Sequence, residues 1–176
     1  MRVLFVLLVK GVELMNSSFG TNEYIQYVVD KYSNMIIKLA FTYVKNISDS
    51  EDIAQEVFLS LLKKDINFDN KEHEKAWLIR VTINKCKNQL RSSWNRLKVP
   101  LDEELSYIPK EDSEVLTSIL SLPKKYRTVI HLYYYEDYSI NEIAKLLNKK
   151  PATVGTWLSR GRNLLKTKLI GGFEYE

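Results

Sequence analysis

The chain has 176 residues, 45% of them apolar, and its 26 Lys and Arg against 22 Asp and Glu leave a net charge of +4. That length supports one ordinary domain or two small ones, and the composition is globular with a mild basic excess. One cysteine, Cys86, and two histidines, His73 and His131, are too few for a disulfide framework or a Cys/His zinc site, so a reducing cytoplasm is the expected setting.

The apolar run VLFVLLV, Val3 to Val9, is far short of the ~20 residues that a membrane helix needs. Residues 1–14 are expected to be translated leader upstream of a start at Met15, because the back-translation of GVEL before that Met can contain a purine-rich ribosome-binding sequence. A folded extra segment and an inefficient membrane tether are the competing readings. From Asn22 onward helical periodicity dominates and strand-type alternation is essentially absent, which predicts an all-α chain. The periodicity places helices near 22–45, 49–64, 73–96, 113–121, 124–135, 139–147 and 151–169.

In SDSEDIAQEVFLSLLKK, Ser48 and Glu51 have capping-box spacing, and Asp49 and Asp52 suit the positive end of a helix. Ile53, Ala54, Val57, Phe58, Leu61 and Leu62 make a broad buried face. On the other side Asp52, Gln55, Glu56 and Lys63 surround Leu59, an apolar centre ringed by polar groups that resembles a small protein-docking patch. Exposed single leucines are also common without any partner.

The next helix, AWLIRVTINKCKNQLRSSWNR, carries a core stripe of Ile79, Ile83, Cys86 and Leu90. Opposite it fall Trp77, Arg80, Asn84, Lys87, Asn88 and Arg91, a strip with cations for phosphate, amides for base edges and an aromatic for an unstacked base. Trp77 is equally readable as a core or capping aromatic, and Cys86 reads as a small core residue. Charge is distributed unevenly along the chain. Lys75 to Lys98 holds seven Lys or Arg and no acid, Asp102 to Glu114 holds six acids against Lys110, and Ile143 to Lys168 again holds seven Lys or Arg. The segment from Lys98 to Asp112, with Pro100, Pro109 and most of the acidic cluster, is the expected linker.

The second half carries the most specific pattern. In DYSINEIAKLLNKKPATVGTWLSRGR, Ser139 and Glu142 form a capping box, Ile143, Ala144 and Leu147 make a core stripe, NKK turns the chain, and Pro151 opens the last helix. Two short helices joined by a tight turn, the second polar and basic outside, predict a helix-turn-helix. On the last helix Val154, Leu158, Gly161 and Leu165 line one stripe. Thr153, Thr156, Ser159, Arg160 and Asn163 line the other, which suits a DNA major groove. Thr153, Thr156 and Arg160 are the expected base-edge readers, and Lys149, Lys150, Arg162 and Lys166 the expected phosphate contacts. Gly155 costs helix stability under any reading, and His131 falls in an apolar-aromatic helix where packing is its expected role.

Taken together, these stretches resemble the extracytoplasmic-function group of bacterial sigma-70 family RNA polymerase sigma factors, over about residues 22 to 170. The resemblance implies two small helical domains joined by a flexible acidic linker: sigma region 2 at 22–97, the linker at 98–112 and region 4 at 113–170, between an N-terminal extension at 1–21 and a tail at 171–176. By the same resemblance Asp52, Gln55, Glu56 and Leu59 would face the coiled coil of the polymerase beta-prime subunit, with the beta flap a further contact. Lys75, Trp77, Arg80, Asn84, Lys87, Asn88 and Arg91 would contact the promoter's minus-ten element, and Thr153, Thr156, Arg160 and Arg162 would read the minus-thirty-five element. Similar sequences usually carry Lys or Arg at the positions of Gly155 and Trp157, a departure that bears on the upstream element. The family also implies an anti-sigma partner, often membrane-anchored, and no cofactor or small-molecule substrate. A helix-turn-helix regulator without sigma activity is the alternative, and it leaves the first half's two surfaces unexplained. An enzyme would need a phosphate-cradling Gly-rich loop, a metal-ligand cluster or a nucleophile with a His partner, and the sequence offers none.

Overall fold

A computed structural model describes residues 19–63, 68–93 and 110–171. Among them the chain forms seven helices and no strand: α1 (Phe19–Val44), α2 (Ile47–Lys63), α3 (Lys71–Ser93), α4 (Lys110–Ser121), α5 (Lys124–Tyr134), α6 (Ile140–Leu147) and α7 (Pro151–Gly171). The expectations for residues 1–18, for most of the linker at 98–112 and for the tail at 172–176 lie outside the described residues.

In α1, Ile25, Val28, Val29, Tyr32, Met35, Ile36, Leu39, Ala40 and Tyr43 are buried, the three-and-four spacing of a helix with one wet side. Lys45 then takes a left-handed conformation with φ 59° and turns the chain. Here one expectation is corrected. The cap of α2 is Asn46, whose side-chain oxygen accepts the Asp49 N–H at 2.6 Å, while Ser48 lies inside the helix. Asparagine is as good an N-cap as serine, and once the chain reverses at Lys45 the cap lies two residues before Ser48 and the helix starts at Ile47. Asn70 does the same for α3, accepting the His73 N–H at 2.8 Å.

The back half, α4–α7, is built around α5. Tyr126 through Leu132 are all buried, because α5 packs against α1 on one side and against α6 and α7 on the other. The helix-turn-helix follows the sequence closely. Ser139 and Glu142 form both bonds of the capping box, Asn148 closes α6 in the left-handed region at φ 52°, and the Lys149 N–H returns to the Ala144 carbonyl at 2.9 Å. Gly161 is needed where α7 crosses α5, since a Cβ there would lie 2.8 Å from Ile130 Cδ1 and 3.2 Å from Tyr126 Cβ. Gly155 is different: the nearest atom to a Cβ there is Ile140 Cδ1 at 4.0 Å, so packing within the chain does not require a glycine.

The front half, α1–α3, and the back half are packed together. Their buried side chains form a single apolar cluster that runs from α1, α2 and α3 through α5 into α6 and α7. The buried Arg127 of α5 ties the halves: its guanidinium donates to the Thr42 carbonyl at 2.8 Å, to Leu120 at 2.6 Å and to Leu122 at 3.1 Å. Thr42 and Leu120 sit in the last turns of α1 and α4, where helices leave carbonyls unbonded and the macrodipole is negative. Two helix ends thus stand in for a carboxylate partner.

Candidate nucleic-acid interface

Three surfaces result. On α2, Asp52 and Glu56 are exposed and Gln55 and Leu59 half-buried, so the ring of polar groups around a leucine is present. Ile53, Ala54, Val57, Phe58 and Leu61 on the opposite side are buried. Glu56 pairs with Lys85 of α3 at 2.9 Å, which fixes one edge of the patch against the neighbouring helix.

On α3, Arg80, Asn84, Lys87, Asn88 and Arg91 are exposed in one strip. Ile79, Ile83 and Cys86 are buried opposite, and burial pushes the Cys86 thiol up to about 12, which keeps it protonated and inert. The first turn departs from the pattern. Trp77 is half-buried, packed on the core with its ring edge-on to Phe68 at 5.7 Å. Glu74 is buried in the front half and accepts from the Tyr24 and Tyr32 hydroxyls. Its neighbour Lys75 turns the other way, into the back half. The ammonium lies 2.9 Å from a Glu136 carboxylate oxygen, donates to the Glu136 carbonyl at 3.2 Å and sits 5.2 Å from the centre of the Tyr138 ring. Burial opposes charge on Glu136, but His131 and Lys75 beside it outweigh burial and hold its carboxyl below the ordinary value. Helical spacing puts Lys75 on the Ile79 and Cys86 side of α3, away from Arg80 to Arg91, and it carries no information on a partner 61 residues away.

On α7, Thr156, Ser159, Arg160, Arg162, Asn163 and Lys166 are exposed and Thr153 half-buried, over a stripe in which Val154, Leu158 and Gly161 are buried and Leu165 is half-buried. Lys149 and Lys150 in the preceding turn are exposed too. The Thr156 hydroxyl gives its proton to the Ala152 carbonyl at 2.8 Å, which leaves its oxygen to accept from base amino groups. Trp157, where similar sequences carry a cation, is half-buried and packed on the core, with Lys125 6.0 Å from its ring. His131 is buried and stacks on Tyr135 at 5.5 Å, the packed role expected of it. Neither the tie at Arg127 nor the acceptor at Glu136 follows from local sequence pattern. Among the described residues no helix is long and apolar enough to cross a membrane.

Comparison with known proteins agrees with this layout. The sequence profile of Sigma-70 region 2 matches residues 28–96, and that of Sigma-70, region 4, matches residues 112–165. The chain is 30% identical to the ECF RNA polymerase sigma factor SigW of Bacillus subtilis over 164 residues, 81% of this chain and 87% of that protein. It is also 30% identical to the RNA polymerase sigma factor SigV of the same organism over 138 residues, 75% of this chain and 82% of that one. Its fold superposes on the sigma factor RpoE of Bartonella quintana, crystallised with the anti-sigma factor NepR, with a TM-score of 0.68 at 19% identity over 84% of this chain and 96% of that one.

Proposed function

This chain belongs to the extracytoplasmic-function group of the sigma-70 family, and from that premise we propose how its surfaces divide the labour of an alternative sigma factor, which binds core RNA polymerase and promoter DNA and directs transcription initiation. Asp52, Gln55, Glu56 and Leu59 dock on the beta-prime coiled coil of the polymerase. Lys75, Trp77, Arg80, Asn84, Lys87, Asn88 and Arg91 engage the minus-ten element. Thr153, Thr156 and Arg160 read the minus-thirty-five element, while Lys149, Lys150, Arg162 and Lys166 hold its phosphates. The observation that carries this reading is the presence in one chain of two basic helices, α3 and α7, each with one buried stripe and an exposed row of cations and amides or hydroxyls. A helix-turn-helix regulator alone would account for α7 and leave α2, α3 and the region 2 match without a use.

The mechanism is coupled binding rather than bond chemistry, in the bacterial cytoplasm where polymerase and promoter meet. Docking through α2 delivers two DNA-binding surfaces to one template, and capture of an unstacked base on the α3 side offsets the few kcal/mol that unstacking costs. An anti-sigma protein that wedges the halves apart, or wraps both, is the expected regulator. In run-off transcription with core polymerase and genomic DNA, addition of the protein should produce discrete start sites. Failure to initiate from any genomic template would overturn the reading.

A further inference from the structure

Lys75 faces the back half, so the first turn of α3 meets the exposed strip through a different side chain. Helical spacing from His73 runs to Trp77, Arg80, Asn84 and Arg91 along one face. His73 is exposed, one turn before the half-buried Trp77. Its place is fixed by the three residues at the entry to the helix. Asn70 caps α3 and accepts the His73 N–H at 2.8 Å. The Phe68 ring stands edge-on to both neighbours, its centre 5.6 Å from that of His73 and 5.7 Å from that of Trp77. The Asp69 carboxylate lies 3.3 Å from His73 Nδ1, which leaves Nε2 as the ring nitrogen for a ligand. Among the described residues Asp69 is the charged group paired with His73, and Arg80 is the next cation along the same face.

We propose that His73 is a further DNA-contacting residue of α3, whose imidazolium form holds a phosphate of the melted strand at the start of the strip. That role rests on the reading of α3 as the minus-ten helix. Residues four apart on a helix lie about 5–6 Å from each other at Cβ, so one nucleotide can set its base against Trp77 and a phosphate against His73. While the ring is neutral, this corner carries the charge of Asp69, whose side chain is 87% exposed and repels an approaching phosphate. Proton uptake cancels that charge and makes Nε2–H a donor to a phosphate oxygen. A phosphate beside the ring favours the protonated form, so the DNA complex binds more protons than the free surface and affinity rises as pH falls. Histidine changes charge between about pH 5 and 8, where lysine and arginine side chains do not.

The test uses the protein bound to core polymerase, with core polymerase alone as the baseline. The probe is a fluorescent single strand copied from the non-template side of a mapped start site, or a mixed-sequence strand of the same length where no start is found. From about pH 8 to about pH 6 the parent should gain roughly threefold in affinity. Its slope of log affinity against log salt should steepen by about 0.7, the mark of one more ion pair with a single strand. His73→Gln, polar but not titratable, should lose both changes. His73→Lys should bind at both pH values as the parent does at the lower one. A parent that shows neither change, or a His73→Gln protein that shows both as the parent does, would overturn the role of His73 and leave the sigma-factor reading intact if transcription starts. If affinity and slope depend on His73 as expected but no genomic template is transcribed, His73 keeps its role and the sigma-factor reading fails. Binding no better than that of core polymerase alone at either pH would sink both.

Discussion

Helices α3 and α7 are built on one plan, with a buried stripe, an exposed basic face and more than five turns of length, yet the fold treats them differently. Along α7 every predicted contact of the outer face except the half-buried Thr153 is open to solvent. Along α3 the strip is open from Arg80 to Arg91 and half-buried at its start, where Trp77 is packed on the core, while Lys75 on the opposite side is paired across the molecule. Equal patterns in sequence therefore do not mean equal availability. What decides availability is which neighbour the fold brings up against each turn, and for Trp77 that neighbour is Phe68, just before α3.

The most damaging test of this contrast is Arg127→Ala. It removes a buried guanidinium and leaves the carbonyls of Thr42, Leu120 and Leu122 without their donor, a loss of about 3 kcal/mol. Urea denaturation should show that loss together with weakened contact between the halves; an unchanged midpoint would remove the physical basis for treating the two halves as tied. Gly161→Ala comes next. The added Cβ would press on Ile130 and Tyr126 of α5, with a cost of about 1–3 kcal/mol measured the same way.

Two binding variants sharpen the division between the regions. Arg160→Ala should weaken binding to a promoter with its preferred upstream element by about 1–3 kcal/mol while sparing association with core polymerase. Leu59→Asp should do the reverse, lowering co-purification with polymerase while leaving DNA binding by α7 intact. If both changes had the same effect in both assays, the two surfaces would not be separate. The smallest effect is expected at Gly155→Ala. The site has room for a Cβ, and replacing a helix-interior glycine should raise stability by up to about 1 kcal/mol, visible as a higher melting temperature.

Much of the molecule was legible in the chain itself. All seven helices follow from three-and-four spacing of apolar residues, because burial of one helical face imposes that spacing locally. The capping box at Ser139 and Glu142 and the turn through Asn148 were readable for the same reason: their partners lie within a few residues. The start of α2 is ambiguous in the sequence because two good N-caps, Asn46 and Ser48, stand two residues apart, and the left-handed Lys45 that selects the first is a feature of the backbone.

Local pattern thus determined which residues form helices, which face of each is buried, and which rows of Lys, Arg, Asn and Thr are candidates for DNA. Tertiary structure alone decided that Arg127 would be neutralised by the ends of two other helices and that Lys75 would meet Glu136. Helical periodicity is set by contacts over three or four residues, whereas these two cations answer to groups brought near only when the back half packs on the front. Charge pairing across such a distance leaves no periodic trace in the chain.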